Sequence, residues 1–298
     1  MSDGPVFICG LAFSGKTPLR IALSAHPRLA LTRHTAMWQR HAGRYGNLRR
    51  PGSFDHCLSA LLGDPDVARL APDRASIERE FRDGPATYAH LFAVVHRQHA
   101  ERLGKQRWGD QMGMLERYAD WVLRAYPAAQ MIHMIRDPRI RHAAAASAHR
   151  QTPGRLGWET ARWRESAALA ERNLRRYPGR YHTVGYEALC SDPEATLRTV
   201  AAFLEEDFEP AMTAALADVT LDDRHRRMTF TPGRRRSVCW FIERHAEAQM
   251  AAHGYAVDTV TGAAARTPWA FTDHWCDRAG MALWRTLHAS RVPPEGVR

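Results

Sequence analysis

Val6-Phe7-Ile8-Cys9-Gly10-Leu11-Ala12-Phe13-Ser14-Gly15-Lys16-Thr17-Pro18-Leu19 is the stretch on which the fold turns. Val6 to Cys9 is a short apolar run of the kind that forms a buried strand. Gly10 opens a turn, and the spacing predicts a helix from Thr17 to Ala25. From Gly10 to Thr17 the spelling is G-x-x-x-x-G-K-T, a phosphate-binding P-loop. Gly10 and Gly15 let the backbone curl without a Cβ clash. The curled N–H groups and the helix N-terminus then face an anion. Lys16 adds a full charge and the Thr17 hydroxyl a polar group. Of the 42 Lys and Arg residues only Lys16 and Lys105 are Lys. A compact ammonium suits a phosphate in a tight loop better than the planar fork of Arg.

Composition bounds the rest. The 298 residues are 45% hydrophobic and 25% charged, which fits one large α/β domain with additions. A formal charge of +10 suits anionic partners. Charge alone does not make a nucleic-acid binder, and no recognised module accompanies it. Five Cys without a C-x-x-C pair argue against a disulfide framework or a zinc site, and point to a reducing cytoplasm. No signal peptide and no membrane span are expected.

Further along, His26-Pro27 ends the first helix, and Leu29 to Thr32 reads as a second strand delivering Arg33, His34 and Thr35. Residues 36–105 read as a helical insertion on the acceptor side. It has a short helix at Phe54 to Leu62, one starting at a Ser76 cap, and a longer one from Ala86 to Leu103. His96 and His99, three apart, read as packed or solvated rather than metal-binding. Arg107 to Gln111 reads as a break, and Leu115 to Ala125 as a helix. Gln130 to Ile135 is a buried parallel strand by its apolar density. It delivers Arg136 to a strand end, before a helix from Arg139 to His149. Helices at Trp158 to Tyr177, Glu194 to Leu204 and Val238 to His253, with a strand at Tyr181 to Val184, complete the pattern. The basic run Arg234-Arg235-Arg236 follows a turn-like Thr231-Pro232-Gly233. An aromatic tail with Trp269, Phe271, Trp275, Met281, Trp284 and Leu287 reads as helical packing on the domain, with weak membrane-surface association as its rival.

The order of these pieces resembles the sulfotransferase family. Its first motif is similar to residues 10–27, a glycine loop, a helix and His-Pro. Its second is similar to Trp108-Gly109-Asp110, a helix, Tyr126-Pro127, a buried strand and Arg136-Asp137-Pro138-Arg139. Its third is similar to Tyr186-Glu187 with Asp192-Pro193 and Phe203-Leu204. The resemblance implies a three-layer P-loop-like α/β fold with a central parallel sheet, as a domain over 1–261 with the tail at 262–298. It implies 3′-phosphoadenosine-5′-phosphosulfate as donor, no metal, and a small-molecule, lipid or sugar acceptor.

Residue by residue, the resemblance assigns the donor's 5′-phosphosulfate to Gly10, Phe13, Ser14, Gly15, Lys16, Thr17 and Pro18. Arg136, Tyr186 and Arg234 to Arg236 go to the rest of the nucleotide. The chain departs from the family at four points. Phe13 stands where a Lys or Arg is usual, and Lys16 where Thr is usual. Gln111 replaces a common Lys. Ala144 replaces a Ser on the 3′-phosphate, with Ser147 one turn on. Lys16 is expected to supply the charge missing at Phe13. His34 falls where one branch carries a Glu base, and a His also suits that role. Two other readings stand beside this one. The G-x-x-x-x-G-K-T spelling suits a nucleoside-triphosphate phosphotransferase, with Asp110 or Asp137 as magnesium partner. The departures suit a non-catalytic nucleotide-binding relative.

Overall fold

Five parallel strands form one sheet in the order β2-β3-β1-β4-β5. They are β1 (Val6–Cys9), β2 (Leu29–Arg33), β3 (Arg107–Gln111), β4 (Gln130–Ile135) and β5 (Tyr181–Gly185). The computed structural model describes residues 4–148, 152–217, 219, 232–257 and 270–277, with only the backbone described for 232–236, 270 and 271.

Strand alternation creates the layers. Val6 and Ile8 face one side, and Phe7 and Cys9 the other. The Val6 side joins Leu29, Leu31, Ile132, Met134 and Val184 in one core. It is covered by α1 (Lys16–Ser24), α11 (Pro193–Leu204) and α12 (Pro210–Ala217). The Phe7 side joins Trp108, Met131 and Tyr181 beneath the insertion helices. These are α2 (Met37–Arg40), α3 (Pro51–Leu62), α4 (Pro65–Ala68), α5 (Arg74–Arg82) and α6 (Tyr88–Arg102). A 3-10 turn at Leu115–Tyr118 leads into α7 (Ala119–Ala125). A third core, of Leu11, Ile135, Trp163, Ala167 and Phe241, sits at the strand ends. It lies between the loop after β1 and two long helices, α9 (Arg155–Arg176) and α13 (Pro232–Ala252). Between β4 and α9 runs α8 (Pro138–Ala148), and α10 (Tyr186–Ser191) follows β5. Among the described residues no helix is long and apolar enough to cross a membrane.

The largest correction to the sequence reading is Arg107 to Gln111. It is no break but a fully buried inner strand, paired with β1 on one side and β2 on the other. Its polar ends are matched by partners far away in the chain. Arg107 donates to Gly4 O, Leu204 O and Glu206 Oε1. Asp110 accepts from Thr32 Oγ1 at 2.7 Å and from the Thr35 hydroxyl. Gly109 is required between them, because a Cβ there would sit 2.1 Å from Val6 O.

Smaller corrections concern helix ends. Asp73, not Ser76, caps α5, accepting from Ala75 N. The expected helix at 115–125 is divided between the 3-10 turn and α7. Pro232 and Gly233 lie inside α13 rather than in a turn before it, and Pro is favoured in a first helical turn. His96 is a packed histidine, stacked on Phe92 at 4.1 Å. Of the aromatic tail, α14 (Ala270–Trp275) packs on the start of α9, where Gly157 N–H donates to Asp273 Oδ1. Trp269, Met281, Trp284 and Leu287 lie outside the described residues, as does the Phe271 side chain.

Replacing Arg107 tests this account of β3. Arg107→Ala leaves Glu206 buried with one partner fewer, together with several unmatched carbonyls, and is expected to destabilise the protein by about 3 kcal/mol or more. Urea unfolding monitored by circular dichroism measures this, and a loss under about 1 kcal/mol contradicts the account.

Candidate active site

In a parallel sheet the carboxyl ends of the strands share one edge, and ligands bind there. Here that edge collects the loop after β1, Gln111 from β3, Arg136 after β4, Tyr186 after β5 and His34 after β2. The loop is curled as its glycines demand. Gly10 has φ +119°, and a Cβ would meet Met134 O at 2.3 Å. Gly15 has φ +93°, and a Cβ would meet the Tyr186 ring at 2.1 Å. Phe13 between them also takes a positive φ of 66°. Ser14 Oγ donates to Leu11 O at 2.8 Å, closing the curl. No side chain caps α1, whose first turn opens from Gly15.

Beneath the loop lies a buried polar chain. Gly10 N–H donates to Glu116 Oε2 at 3.1 Å, and Ser166 Oγ donates to Glu116 Oε1 at 2.7 Å. The Ser166 proton being spent, Ser166 Oγ accepts from His133 Nε2, 3.1 Å away. His133 Nδ1 then accepts from the Tyr181 hydroxyl at 2.7 Å. Burial holds His133 down to about 4, so the ring is neutral, as this arrangement requires. Glu116 and His133 are both fully buried.

The cations surround the loop. Lys16 is 7% exposed and folds back onto Leu11 O. Burial pushes its ammonium down to about 8, against the opposing pull of Glu116. Arg136 Nη1 donates to Phe13 O at 3.2 Å, its guanidinium lies 4.1 Å over the Tyr186 ring, and its Nε is buried without a partner among the described residues. Two further arginines belong here that sequence reasoning did not single out. Arg141 Nη1 donates to Ala12 O at 3.3 Å, and burial lowers its guanidinium to about 10, still charged at neutral pH. Arg162 lies against Met114 Sδ, and Met114 N–H donates to Gly10 O at 3.2 Å. One signal was available: Arg155, Glu159, Arg162 and Ser166 form a polar stripe along α9 at helical spacing.

The remaining expected residues fall as follows. Thr17 is exposed, and Gln111 Nε2 approaches its Oγ1 at 3.5 Å. Phe13 and Pro18 are half-buried on the loop. His34 stands exposed at the end of β2 with φ 47°, its N–H donating to Gln111 O at 3.0 Å. Ala144 is buried in α8, while Ser147 is exposed and donates to Ala144 O. The side chains of Arg234, Arg235 and Arg236 lie outside the described residues. Both acids considered as magnesium partners are engaged elsewhere. Asp110 is held by two threonine hydroxyls, and Asp137 pairs with Arg139 at 2.6 Å.

A glycine loop after the central strand, with an arginine from the next strand end laid against it, narrows the choice of family. The sequence model of the Sulfotransferase family matches residues 5–210. This chain belongs to the sulfotransferase family. Two solved sulfotransferase domains share its fold. That of the Synechococcus PCC 7002 olefin synthase is 19% identical with a TM-score of 0.51, covering 91% of this chain and 93% of that one. That of the curacin biosynthetic pathway is 15% identical with a TM-score of 0.52, covering 86% of this chain and 99% of that one. No curated protein matches the chain.

If Lys16 holds an anion in the loop, binding needs the charged ammonium and so depends on pH. Affinity for inorganic sulfate, which does not titrate in this range, is therefore expected to hold below pH 8 and to fall by up to about tenfold per unit above it. Glu116→Gln removes the charge that supports the ammonium and is expected to move this fall to lower pH. Thermal-shift titrations with sulfate from pH 6.5 to 9.5 measure both. A flat profile excludes Lys16 as the anion's ligand.

Proposed function

We propose that this protein transfers a sulfuryl group from 3′-phosphoadenosine-5′-phosphosulfate to a hydroxyl of a small-molecule, lipid or sugar acceptor. The observation that carries the reading is the contact of Arg136 with the loop. The guanidinium is 3.2 Å from Phe13 O, which brings a second cation against the loop that carries Lys16. A nucleotide bearing an anion at each end fits such a pair. The residues fit it further: an α1 N-terminus that no side chain caps, a buried Lys16 at its start, and an arginine Nε left without a partner.

In this reading Lys16, the loop amides of Gly10 to Gly15 and the Thr17 hydroxyl hold the phosphosulfate. Arg136 binds the 3′-phosphate, and Tyr186 backs the Arg136 guanidinium and closes against Gly15. The Arg234 to Arg236 run is assigned to the same phosphate by the family resemblance. The donor supplies a sulfur that accepts the acceptor oxygen and a bridging oxygen that leaves with negative charge. Lys16 neutralises that charge in place of the cation absent at Phe13. His34 takes the acceptor proton at its free ring nitrogen. The exposed strand-end position of His34 leaves its ring accessible to an acceptor.

The rival phosphotransferase reading draws on the loop spelling, and a direct comparison separates the two. Adenosine 3′,5′-bisphosphate is expected to raise the melting temperature more than ATP with Mg²⁺, and Lys16→Ala to abolish that rise. His34→Ala is expected to lower turnover by about a hundredfold or more while bisphosphate affinity holds. Stabilisation by ATP with Mg²⁺ alone favours phosphoryl transfer. Loss of bisphosphate affinity in His34→Ala removes the base assignment.

A further inference from the structure

At the start of α9 lies a groove of about 550 Å³, lined by Gly154, Arg155, Trp158, Glu159, Arg162 and, just after α14, Cys276. Its wall is built by close approach. Gly154 has φ +78°, and a Cβ there would sit 2.5 Å from Cys276 Sγ. A Cβ on Gly157 would sit 1.8 Å from Asp273 O. Only glycines at these two positions let α14 close on the start of α9.

The groove shares its floor with the rim of the loop. Glu159 Oε2 lies 3.4 Å from Arg141 Nη2, and Arg141 Nη1 reaches Ala12 O. Arg162 lies against Met114, which is hydrogen-bonded to Gly10 O. Two residues thus link the groove to the loop along each path, Glu159 with Arg141 and Arg162 with Met114.

The groove's charge is unbalanced. Glu159 is its one lining carboxylate, and three cationic or ionisable groups already occupy it. Arg155 Nε is 2.7 Å away, His142 Nδ1 3.0 Å and Arg141 3.4 Å. Burial raises Glu159, but His142 and Arg141 outweigh it and hold the carboxyl at about 2. Glu116, Glu159 and Glu165 support the Arg162 charge against its burial, but none of them is in direct contact with it. Among the described residues Arg162 forms no ion pair; its Nη2 meets a thioether, a weak acceptor, and its Nε is buried without a partner. An anion with two oxygens gives such a half-buried guanidinium a direct, forked partner.

We propose that this groove receives the acceptor, and that the acceptor carries a carboxylate or phosphate group that Arg162 binds, with Arg155 at the rim and Trp158 against its apolar body. This rests on the sulfotransferase reading above. It adds a substrate class: hydroxylated acids rather than neutral alcohols.

Matched acceptor pairs test it. They are 4-hydroxyphenylacetate, 16-hydroxyhexadecanoate and (4-hydroxybenzyl)phosphonate, each against its neutral alkyl ester. For at least one pair, kcat/KM for the anion is expected to exceed that for the ester by about tenfold or more. Preference for the acids or for the phosphonate tells the carboxylate from the phosphate. Arg162→Ala is expected to bring the anion-to-ester ratio close to one, both members being compared at saturating donor. Arg162→Lys, keeping charge without the fork, is expected to fall between. Arg155→Gln, at the more exposed rim, is expected to lower the ratio less and guards against a misfolded Ala variant. Esters equal to the anions in every pair overturn the proposal. So does an equal loss for both members in Arg162→Ala, or bisphosphate binding with no anionic acceptor turned over. A wild-type protein that does not bind the bisphosphate fails the donor reading instead.

Discussion

A buried carboxylate sits under the glycine loop, and the rest of the site depends on it. Glu116 accepts the Gly10 amide on one oxygen and the Ser166 hydroxyl on the other. A lone buried carboxylate is costly unless charge and hydrogen bonds match it. Here Lys16 and Arg162 supply opposing charge, and Glu116 in turn holds the Lys16 ammonium up against its burial. The same carboxylate fixes the turn that starts the loop. Through Ser166 and His133 it is tied to α9, β4 and, by Tyr181, β5. The loop is thus held from below by polar groups and from above by the Tyr186 ring against Gly15. A shift in any of these strands reaches the loop.

The cations then follow a division set by geometry. Arg136 leaves β4 and lies between the loop and Tyr186, with its carbonyl held by Trp163 Nε1 of α9 at 2.9 Å. Arg141, on the next helix, lies between Ala12 and Glu159. Arg162 comes from α9 and meets the loop through Met114. Lys16 lies within the curl itself. Each comes from a different element, so each is positioned by a different packing contact. Repulsion among them is real: Arg141 and Arg162 both lower the Lys16 ammonium, and Arg136 and Arg162 both lower Arg141. Burial outweighs this repulsion for both groups, and Glu116 and Glu159 oppose it.

The parts of this design that were legible in the sequence are those whose physics is local. The apolar runs at Val6 to Cys9 and Gln130 to Ile135 are strands because both their faces are buried, and each occupies the range expected. The glycines of the loop announce a curl that only they tolerate. Arg136 followed by Asp-Pro sits at a strand end as read. What escaped is what depends on distant partners. Arg107-Trp108-Gly109-Asp110-Gln111 looks polar in isolation. It is an inner strand because Leu204, Glu206 and Thr32 supply hydrogen bonds from elsewhere.

Arg141 and Arg162 escaped for a related reason. In a chain with so many arginines, residue type says nothing about which ones are buried. The helix register of α9 carries the missing information. Leu156, Trp163, Ala167 and Ala170 make its apolar face, while Glu159, Arg162, Ser166 and Asn173 make a polar stripe beside it. On a solvated helix such a stripe faces water. Here Ser166 and Asn173 both reach Glu116, by its carboxylate and its carbonyl, so the stripe is turned inward at that end. Arg162 lies on the same stripe one turn before Ser166, and the helix geometry therefore carries it toward the loop as well. A polar stripe anchored at one end by a buried acid and running out to a groove is a path from the glycine loop to the surface. In the proposed reading, that path makes α9 the element that reads the charge of what enters.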